Sequence, residues 1–339
     1  MTPSHKKVRW GVLGVARIAT EKVIPAMQRG RFSEVVAIAS RDDGRARIAA
    51  DALNLATAHG SYEALINDPQ VDAIYNPLPN HLHVPWTIRA LEAGKHVLCE
   101  KPIGLTVAEA AGLIAVRDRT GKKVQEAFMV RTHPQWLRVQ SLVGEGRIGE
   151  LRSMMGYFSY FNRDASNIRN VREFGGGAVM DIGCYLIHTA RMIFGCEPRR
   201  VVSLVERDPA MQVDRLASIM LDFDRGQAIG TCSTQAVSYQ RVHVVGTTGR
   251  IEIEIPFNAP PDRPCRIFVD DGRTLSGEDR ETIEMPIVDQ YTVQGDLFSA
   301  AVLENGPVAY PLEDTVANMR VIDAVFRSEE SGTWVTVGT

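Results

Sequence analysis

The segment "HVLCEKPIGL" (96–105) places two charges at the end of an apolar run. Such a run is typical of a buried strand, yet it is followed by Glu100 and Lys101. Pro102 comes next and restricts the backbone just beyond the lysine. The pair is either a solvated salt bridge at an ordinary strand end or a lysine that serves a reaction.

A second set of reactive side chains lies on a helix predicted over 178–194. Asp181, Tyr185 and His188 follow one another at i, i+4 and i+7, a spacing that places side chains on one helix face. Tyrosine's ordinary pKa, about 10, is too high for a base at neutral pH, but a neighbouring ammonium favours the phenolate. The alternative is a buried hydrogen-bonded cluster that only fixes the helix, and for His188 both interpretations stay open.

A glycine-rich turn, "GVLGVARIA" (11–19), follows the first predicted strand. Gly14, Ala16 and Ala19 occupy the three small-residue positions of a dinucleotide-binding fingerprint, with alanine in place of its second glycine. The N-terminus of the following helix would face a pyrophosphate. The cofactor contacts expected here are Gly14, Ala16, Arg17 and Ile18.

The end of the second strand indicates which cofactor is bound. An NAD site usually has an acidic residue there, whereas this chain has Ser40 and Arg41, followed by Arg45. A guanidinium can pair bidentately with a 2′-phosphate. The alternative is a solvated arginine at a helix start that Asp42 and Asp43 cap. NADP is the predicted cofactor, with NAD as the alternative.

The loop "NPLPNHLH" (76–83) follows another strand, and its prolines stiffen the backbone. His81 and His83 stand at i, i+2 without acidic or cysteine partners nearby, so no metal site is predicted. Further cofactor contacts are expected here and after the next strand, at Pro77, Leu78, Asn80, His83, Glu100 and Lys101.

The elements that position these residues divide the chain into two halves. The first half alternates strands and helices, which predicts a parallel, doubly wound Rossmann sheet. Beyond it, consecutive strands with short turns predict an α+β domain with a large, open, mainly antiparallel sheet. The expected domains are 1–149 and 150–339, with a final helix at about 312–327 that could return to the first domain.

Composition limits the classes of function. The 339 residues include 38 basic and 41 acidic side chains, a net charge of −3 that offers no basic excess for nucleic acid. The five cysteines are scattered and never spaced as C-x-x-C, which favours a reduced, cytoplasmic protein. No apolar stretch approaches the length of a membrane span, so no membrane partner is expected.

The motifs taken together resemble the Gfo/Idh/MocA oxidoreductases. The resemblance rests on "GVLGVARIA", "ASRD", "NPLPNHLH", "AGKHVLCEKP" and "GGGAVMDIGCYLIH", in that order, and covers essentially the whole chain. It implies a Rossmann domain followed by an open sheet that commonly builds the oligomer interface. A homodimer or homotetramer through this second-domain sheet is therefore expected.

The resemblance also assigns residue roles. Lys101 matches the family's catalytic lysine, Pro102 its typically cis proline, and Asp181 and Tyr185 its paired positions in the second domain. The expectation is that Tyr185 takes the substrate proton with the help of Lys101, while Asp181 orients a hydroxyl or the lysine. The alternative makes Lys101 the proton shuttle and Tyr185 an orienting donor.

The resulting prediction is an NADP-dependent oxidation of a cyclic sugar or polyol, at the anomeric carbon to give a lactone. Alternatives are reduction of a keto-sugar, oxidation of a trans-dihydrodiol, and a regulatory protein that senses NAD(P) without turnover. Candidate substrate contacts are His188, Arg131, Asn162, Arg163 and Arg169.

Overall fold

The computed structural model describes residues 6–338. Its strands are β1 (Val8–Leu13), β2 (Ser33–Ala39), β3 (Thr57–His59), β4 (Ala73–Asn76), β5 (His96–Cys99), β6 (Val124–Glu126), β7 (Leu151–Phe161), β8 (Arg200–Arg207), β9 (Asp214–Phe223), β10 (Gly226–Ser233), β11 (Gln235–Gly246), β12 (Arg250–Ile253), β13 (Arg266–Asp270), β14 (Glu281–Glu284) and β15 (Val335–Thr336). Its helices are α1 (Ile24–Gln28), α2 (Asp43–Leu53), α3 (Tyr62–Ile66), α4 (Asn80–Glu92), α5 (Val107–Thr120), α6 (Pro134–Gly144), α7 (Cys184–Phe194), α8 (Gln290–Leu303) and α9 (Leu312–Ser331).

The chain divides into two compact units, and the chain passes twice from the first to the second. The first unit comprises the chain up to Met129 together with Asp289–Val316, and the second comprises Val130–Val288 together with the chain from Ala317 onward. This division differs from the predicted boundary at residue 149. The final helix α9 contributes only its first residues, up to Val316, to the first unit.

Two buried hydrogen bonds give the physical reason for the different division. Trp136 of α6 donates its indole N–H to the carbonyl oxygen of Pro256 at 2.7 Å, which ties α6 to the second unit. Trp10 of β1 donates its indole N–H to Ser299 Oγ of α8 at 3.0 Å, which ties α8 to the first. Neither partner lies near its tryptophan in the sequence.

The first unit contains a parallel sheet with the strand order β3-β2-β1-β4-β5-β6. The predicted doubly wound sheet is therefore confirmed, with the short β3 as an additional strand. Val12 and Leu13 of β1, which point to opposite faces, are both fully buried, as expected for a strand covered on both faces. The strand order reverses between β1 and β4, which is where ligands bind in such sheets, outside the carboxyl ends of the strands.

The second unit contains a large sheet with the order β14-β13-β12-β11-β7-β10-β9-β8-β15. Its neighbours are antiparallel except for the parallel pair β7 and β10, so the predicted mainly antiparallel sheet is confirmed. Gly156 of β7 and Gly230 of β10 face Leu186 of α7 across one face of the sheet. A Cβ on Gly156 would lie 2.5 Å from Leu186 Cδ2, so this glycine lets the helix approach closely. Within residues 6–338, no helix combines the length and apolar character that a membrane crossing needs.

Candidate active site

The glycine-rich turn of the first unit has the shape that a dinucleotide phosphate requires. Gly14 follows β1 with φ of +80°, a conformation that favours glycine. Its N–H donates to the carbonyl oxygen of Ala39 at 2.8 Å, and a Cβ there would lie 3.0 Å from Leu78 Cδ2. A helix begins at Arg17 and contains a π-helical turn, Ala19–Val23, before α1.

The start of this helix fits a pyrophosphate. The first N–H groups of a helix have no partner within it and are therefore available to a pyrophosphate. The predicted contacts Ala16, Arg17 and Ile18 all lie at this start. The Arg17 side chain itself pairs with Glu21 (Nε to Oε1, 2.9 Å), so the backbone of this residue is the part suited to phosphate.

The residues after β2 include a helix cap. Asp42 Oδ1 accepts the Arg45 N–H at 3.0 Å, so Asp42 is the N-cap of α2, as the alternative interpretation expected. Ser40 Oγ accepts the Asp42 N–H at 3.2 Å. Arg41 and Arg45 are exposed beside the carboxyl end of β2. Two exposed arginines therefore follow the strand end where an NAD site has an acid.

Asn76, the last residue of β4, holds the following loop in shape. Its fully buried side chain donates from Nδ2 to the carbonyl oxygen of His83 at 3.0 Å and to Thr87 Oγ1 at 3.3 Å. Its Oδ1 accepts the Leu78 N–H at 3.3 Å. The loop and the start of α4 at Asn80 are thus fixed by one amide that the sequence did not distinguish from an ordinary strand residue.

Side chains from two other elements hold the segment that carries Lys101 by hydrogen bonds. The Lys101–Pro102 peptide bond is cis, as the resemblance implied. His83 Nδ1 donates to the carbonyl oxygen of Pro102 at 2.7 Å, and Glu126 Oε1 accepts the Ile103 N–H at 2.8 Å.

His83 is a neutral, buried part of this support. Its side chain is 1% exposed, and this burial lowers its pKa to about 4, so the ring is neutral at pH 7. The structure therefore places His83 as a support of the Lys101–Pro102 segment.

The Glu100 carboxylate is oriented by a neighbouring strand. Tyr75 of β4 donates its hydroxyl to Glu100 Oε1 at 2.6 Å, and the Lys101 N–H donates to Glu100 Oε2 at 3.3 Å. Residues 75 and 98 are partners in the parallel ladder of β4 and β5, which brings the two strand ends together. The Glu100 carboxylate at the end of β5 is thus held by two hydrogen bonds.

In the second unit, Asp181 is the centre of a hydrogen-bonded group. Tyr160 of β7 donates its hydroxyl to Asp181 Oδ2 at 2.6 Å, and Arg169 Nε donates to Asp181 Oδ1 at 3.1 Å. Burial, with the Asp181 charge beside it, raises the pKa of Tyr160 above its usual range, so this phenol stays a donor. Arg169, predicted as a substrate contact, is brought to Asp181, while Tyr160 was not predicted.

Tyr185 lies at the first turn of α7 with its ring among aromatic side chains. The centroid of its ring is 5.8 Å from that of Phe158 and 5.5 Å from that of Phe257, which stack on each other at 4.8 Å. Only 5% of Tyr185 is exposed. This arrangement fixes the direction of the phenol.

The sequence predicted one regular helix over 178–194. The structure differs from this prediction in the first turn, which carries Asp181. Val179–Gly183 forms a π-helical turn, and regular α-helix begins at Cys184. The simple i, i+4 spacing argument therefore does not describe Asp181, because the first turn is wider. Such turns occur frequently at functional sites, and here one carries the predicted aspartate.

The remaining predicted substrate contacts differ from one another in their exposure. His188 is 1% exposed, and burial with Arg131 and Arg191 nearby lowers its pKa well below the usual value. Asn162 Oδ1 accepts the N–H of residue 164 at 2.9 Å within its own loop, and Arg163 is exposed. In the described part of the chain, no cluster of three or more histidine, cysteine or acidic residues could hold a metal ion.

Comparison with known proteins identifies the family. Residues 8–128 match the family model described as "Oxidoreductase family, NAD-binding Rossmann fold", and residues 136–252 match the GFO/IDH/MocA C-terminal domain. A Rhizobium meliloti protein named "Uncharacterized oxidoreductase ORF334" is 47% identical over 331 residues, 97% of this chain and 99% of that protein. The chain belongs to the GFO/IDH/MocA family of oxidoreductases.

Other GFO/IDH/MocA relatives have named activities. A D-xylose 1-dehydrogenase (NADP(+)) 2 from Haloferax volcanii is 37% identical over 328 residues, covering 95% of this chain and 98% of that protein. The crystal structure of KijD10, a 3-ketoreductase from Actinomadura kijaniata in complex with NADP and TDP-benzene, superimposes with a TM-score of 0.89 at 31% identity, covering 95% and 98%. The resemblance drawn from the motifs is confirmed, and this GFO/IDH/MocA chain is an NAD(P)-dependent oxidoreductase.

Proposed function

We propose that this chain is an NADP-dependent dehydrogenase that oxidises a C–OH group of a cyclic sugar or polyol, with the anomeric hydroxyl and a lactone product as the leading case. The observation that carries the proposal is the position of Lys101 at the carboxyl end of β5, on a segment supported by His83 and Glu126. The relative named as a D-xylose 1-dehydrogenase supports a sugar substrate. NADP, when bound, supplies the hydride acceptor.

In this proposal the chain's own residues move the proton and orient the substrate. Tyr185 takes the proton of the substrate hydroxyl, and the ammonium of Lys101 favours the phenolate. Asp181 orients a substrate hydroxyl or the lysine, and its fixation by Tyr160 and Arg169 supports this role. The alternative, in which Lys101 accepts the proton, predicts the same essential residues.

Further substrate contacts are proposed in the second unit. Arg131, Asn162 and Arg163 carry hydrogen-bonding groups that a polyhydroxylated ligand can use, and Arg169 reaches it through Asp181. His188 is proposed as a buried support, because a side chain that is 1% exposed offers little contact surface.

A substrate scan tests the proposal. Aldoses, polyols and trans-diols are offered with NADP, and the absorbance of reduced nicotinamide is followed. Lys101→Met and Tyr185→Phe should each lose most of kcat, and Tyr185→Phe should leave the Kd for NADP, measured by fluorescence, unchanged. Lys122→Met, a change on the same unit outside the proposed site, serves as the control. Wild-type turnover in both site variants would refute the proposed chemistry.

The preference for NADP over NAD is tested separately. Ser40, Arg41 and Arg45 surround the carboxyl end of β2, and the two exposed guanidinium groups support recognition of a 2′-phosphate. Arg41→Gln should raise KM for NADP about tenfold and leave KM for NAD nearly unchanged, since only NADP carries the phosphate. A wild-type enzyme that prefers NAD would contradict this assignment.

The reverse direction is the second candidate, and the 3-ketoreductase KijD10 among the structural relatives favours it. The same residues would then give a proton to a sugar ketone instead of taking one from an alcohol. Measurement of kcat/KM with NADPH and keto-sugars, against the oxidation of the matching alcohols, distinguishes the two directions.

A homodimer or homotetramer through the second-unit sheet is also proposed. Cross-strand pairing places Val202, Met220, Ile229 and Met155 in one row over four strands, and Ile229 and Met155 are 40% and 45% exposed. Light scattering after size-exclusion chromatography tests it. Ile229→Lys should shift the mass to the monomer, while Leu275→Lys, on an exposed loop, should not. A monomeric wild type would contradict this assignment.

A reducing compartment such as the cytoplasm is proposed as the location. All five cysteines lie in the described part of the chain as free thiols, and four of them are buried. Cell fractionation against a cytoplasmic marker tests this.

A further inference from the structure

A buried carboxylate from another strand contacts the turn in front of the helix that carries Asp181. Asp214, the first residue of β9, is 1% exposed. Its Oδ2 accepts the N–H of Val179, the first residue of the π-helical turn, at 2.6 Å. A carboxylate at this position also suits the positive end of the helix dipole.

Two glycines precede the helix, and the second leaves space for this carboxylate. Gly177 has φ of +122°, and a Cβ on it would overlap Asp214 Oδ1. A Cβ on Gly176 would lie 2.5 Å from the carbonyl oxygen of Arg169. Both oxygens of Asp214 therefore touch the same short segment, one at Gly177 and one at Val179.

This segment leads directly to the proposed site residues. The Asp181 N–H donates to the carbonyl oxygen of Gly177 at 3.1 Å, so the residue that Asp214 touches also begins the turn of Asp181. Tyr185 follows at the first turn of α7. A shift of Gly177 or Val179 would move both side chains together, because the helix is one rigid element.

We propose that Asp214 is a positioning residue for the reaction: its carboxylate fixes Gly177 and Val179 and thereby places Asp181 and Tyr185. The proposal rests on the proposed function of those two residues. Asp214 does not contact the reacting atoms in this account, and it acts only through the backbone of the turn.

The charge of Asp214 changes close to neutral pH. Burial raises its pKa to about 7, although the Val179 N–H and the Arg207 charge favour the ionised form. The titratable and charged groups that face it from the surrounding elements are Arg207, Glu329, Tyr160 and Cys232. Protonation replaces one acceptor oxygen by a hydroxyl, so the turn should be held best above this pH.

Two substitutions test the proposal. Asp214→Asn keeps one oxygen for the Val179 N–H, and Asp214→Ala removes both acceptors. We expect kcat to fall about tenfold in the first and about 100-fold in the second, since a misplacement of about 1 Å costs that much. The Kd for NADP should stay within about twofold, because none of the predicted cofactor contacts lies in this turn. Amide hydrogen exchange at residues 179–185 should be at least about tenfold faster in Asp214→Asn.

A matched control separates positioning from general stability. Asp270 is another buried aspartate of this unit, and it accepts the Gly272 N–H at 2.8 Å and pairs with Arg250. Asp270→Asn should lower stability without a change in kcat or in exchange at residues 179–185.

Three outcomes are decisive. Unchanged exchange at residues 179–185 in Asp214→Asn overturns the proposal, and this measurement needs no substrate or well-folded alanine variant. An active wild type with normal kcat in Asp214→Asn and Asp214→Ala overturns it as well. A wild type without turnover on any substrate, but with faster exchange in Asp214→Asn, contradicts the proposed function while the positioning of the turn stands.

Discussion

Replacing Tyr160 with phenylalanine removes one hydroxyl group and leaves the ring in place. That hydroxyl donates to Asp181 Oδ2 at 2.6 Å, and Arg169 Nε supplies the bond to the other oxygen. The Asp181 side chain is 13% exposed, so water replaces the lost donor poorly. The substitution therefore leaves a largely buried carboxylate with one hydrogen-bond donor fewer.

The size of the effect follows from this burial. A hydrogen bond to a charged group contributes about 1.5–3 kcal/mol, and the free energy of unfolding should fall by about 2 kcal/mol. If Asp181 orients the substrate in the transition state, the loss of its orientation should lower kcat about tenfold, which corresponds to about 1.4 kcal/mol. The Kd for NADP should not change, because Tyr160 is not among the predicted cofactor contacts.

Urea unfolding and steady-state kinetics measure both quantities. Tyr157→Phe is the matched control, since Tyr157 lies on the same strand but on the opposite face of the sheet. It should change neither quantity by more than about 0.5 kcal/mol. Tyr160→Phe with wild-type stability and wild-type kcat would show that Asp181 does not depend on this donor.

Three further changes probe the framework. Burial lowers the pKa of His83 from 6.5 to about 4, so the native state loses stability as pH falls from 6.5 to 4. His83→Gln should remove about 3 kcal/mol of that loss, measured as the free energy of unfolding across this pH range. Gly156→Ala sets a methyl group against Leu186 and should cost about 1–3 kcal/mol, which Leu186→Ala in the same chain should partly restore. Trp10→Phe loses the bond to Ser299 and should lower the unfolding free energy by about 1–3 kcal/mol.

Hydrophobic periodicity predicted nearly all of the regular elements because most of them are long. The exceptions in the first unit are β3, three half-buried residues at Thr57–His59, and α3, five residues at Tyr62–Ile66. Elements this short hold too few residues for a period to be visible. The parallel pairing of β7 with β10 was also not predictable, since it joins strands that are far apart in the chain.

The reactive residues were easier to predict than the residues that hold them. Lys101 and Asp181 belong to motifs that read locally in the sequence. Tyr75 and Tyr160 do not, because each lies inside a strand and looks like an ordinary interior residue until the fold brings its partner close. The support that His83 gives was not predicted for the same reason: its partner, the carbonyl of residue 102, lies in another loop.

The return of the chain to its first unit has a consequence for synthesis. A ribosome completes all six strands of the first sheet by Glu126, but α8, whose Ser299 receives the Trp10 indole, comes only after the whole second sheet except β15. Asp296 of the same helix accepts the N–H groups of residues 31 and 32. Because domains generally fold as units, the first unit cannot complete its core until translation is almost over. A chain truncated before α8 therefore lacks part of the core of the first unit, and it is not simply a smaller cofactor-binding protein.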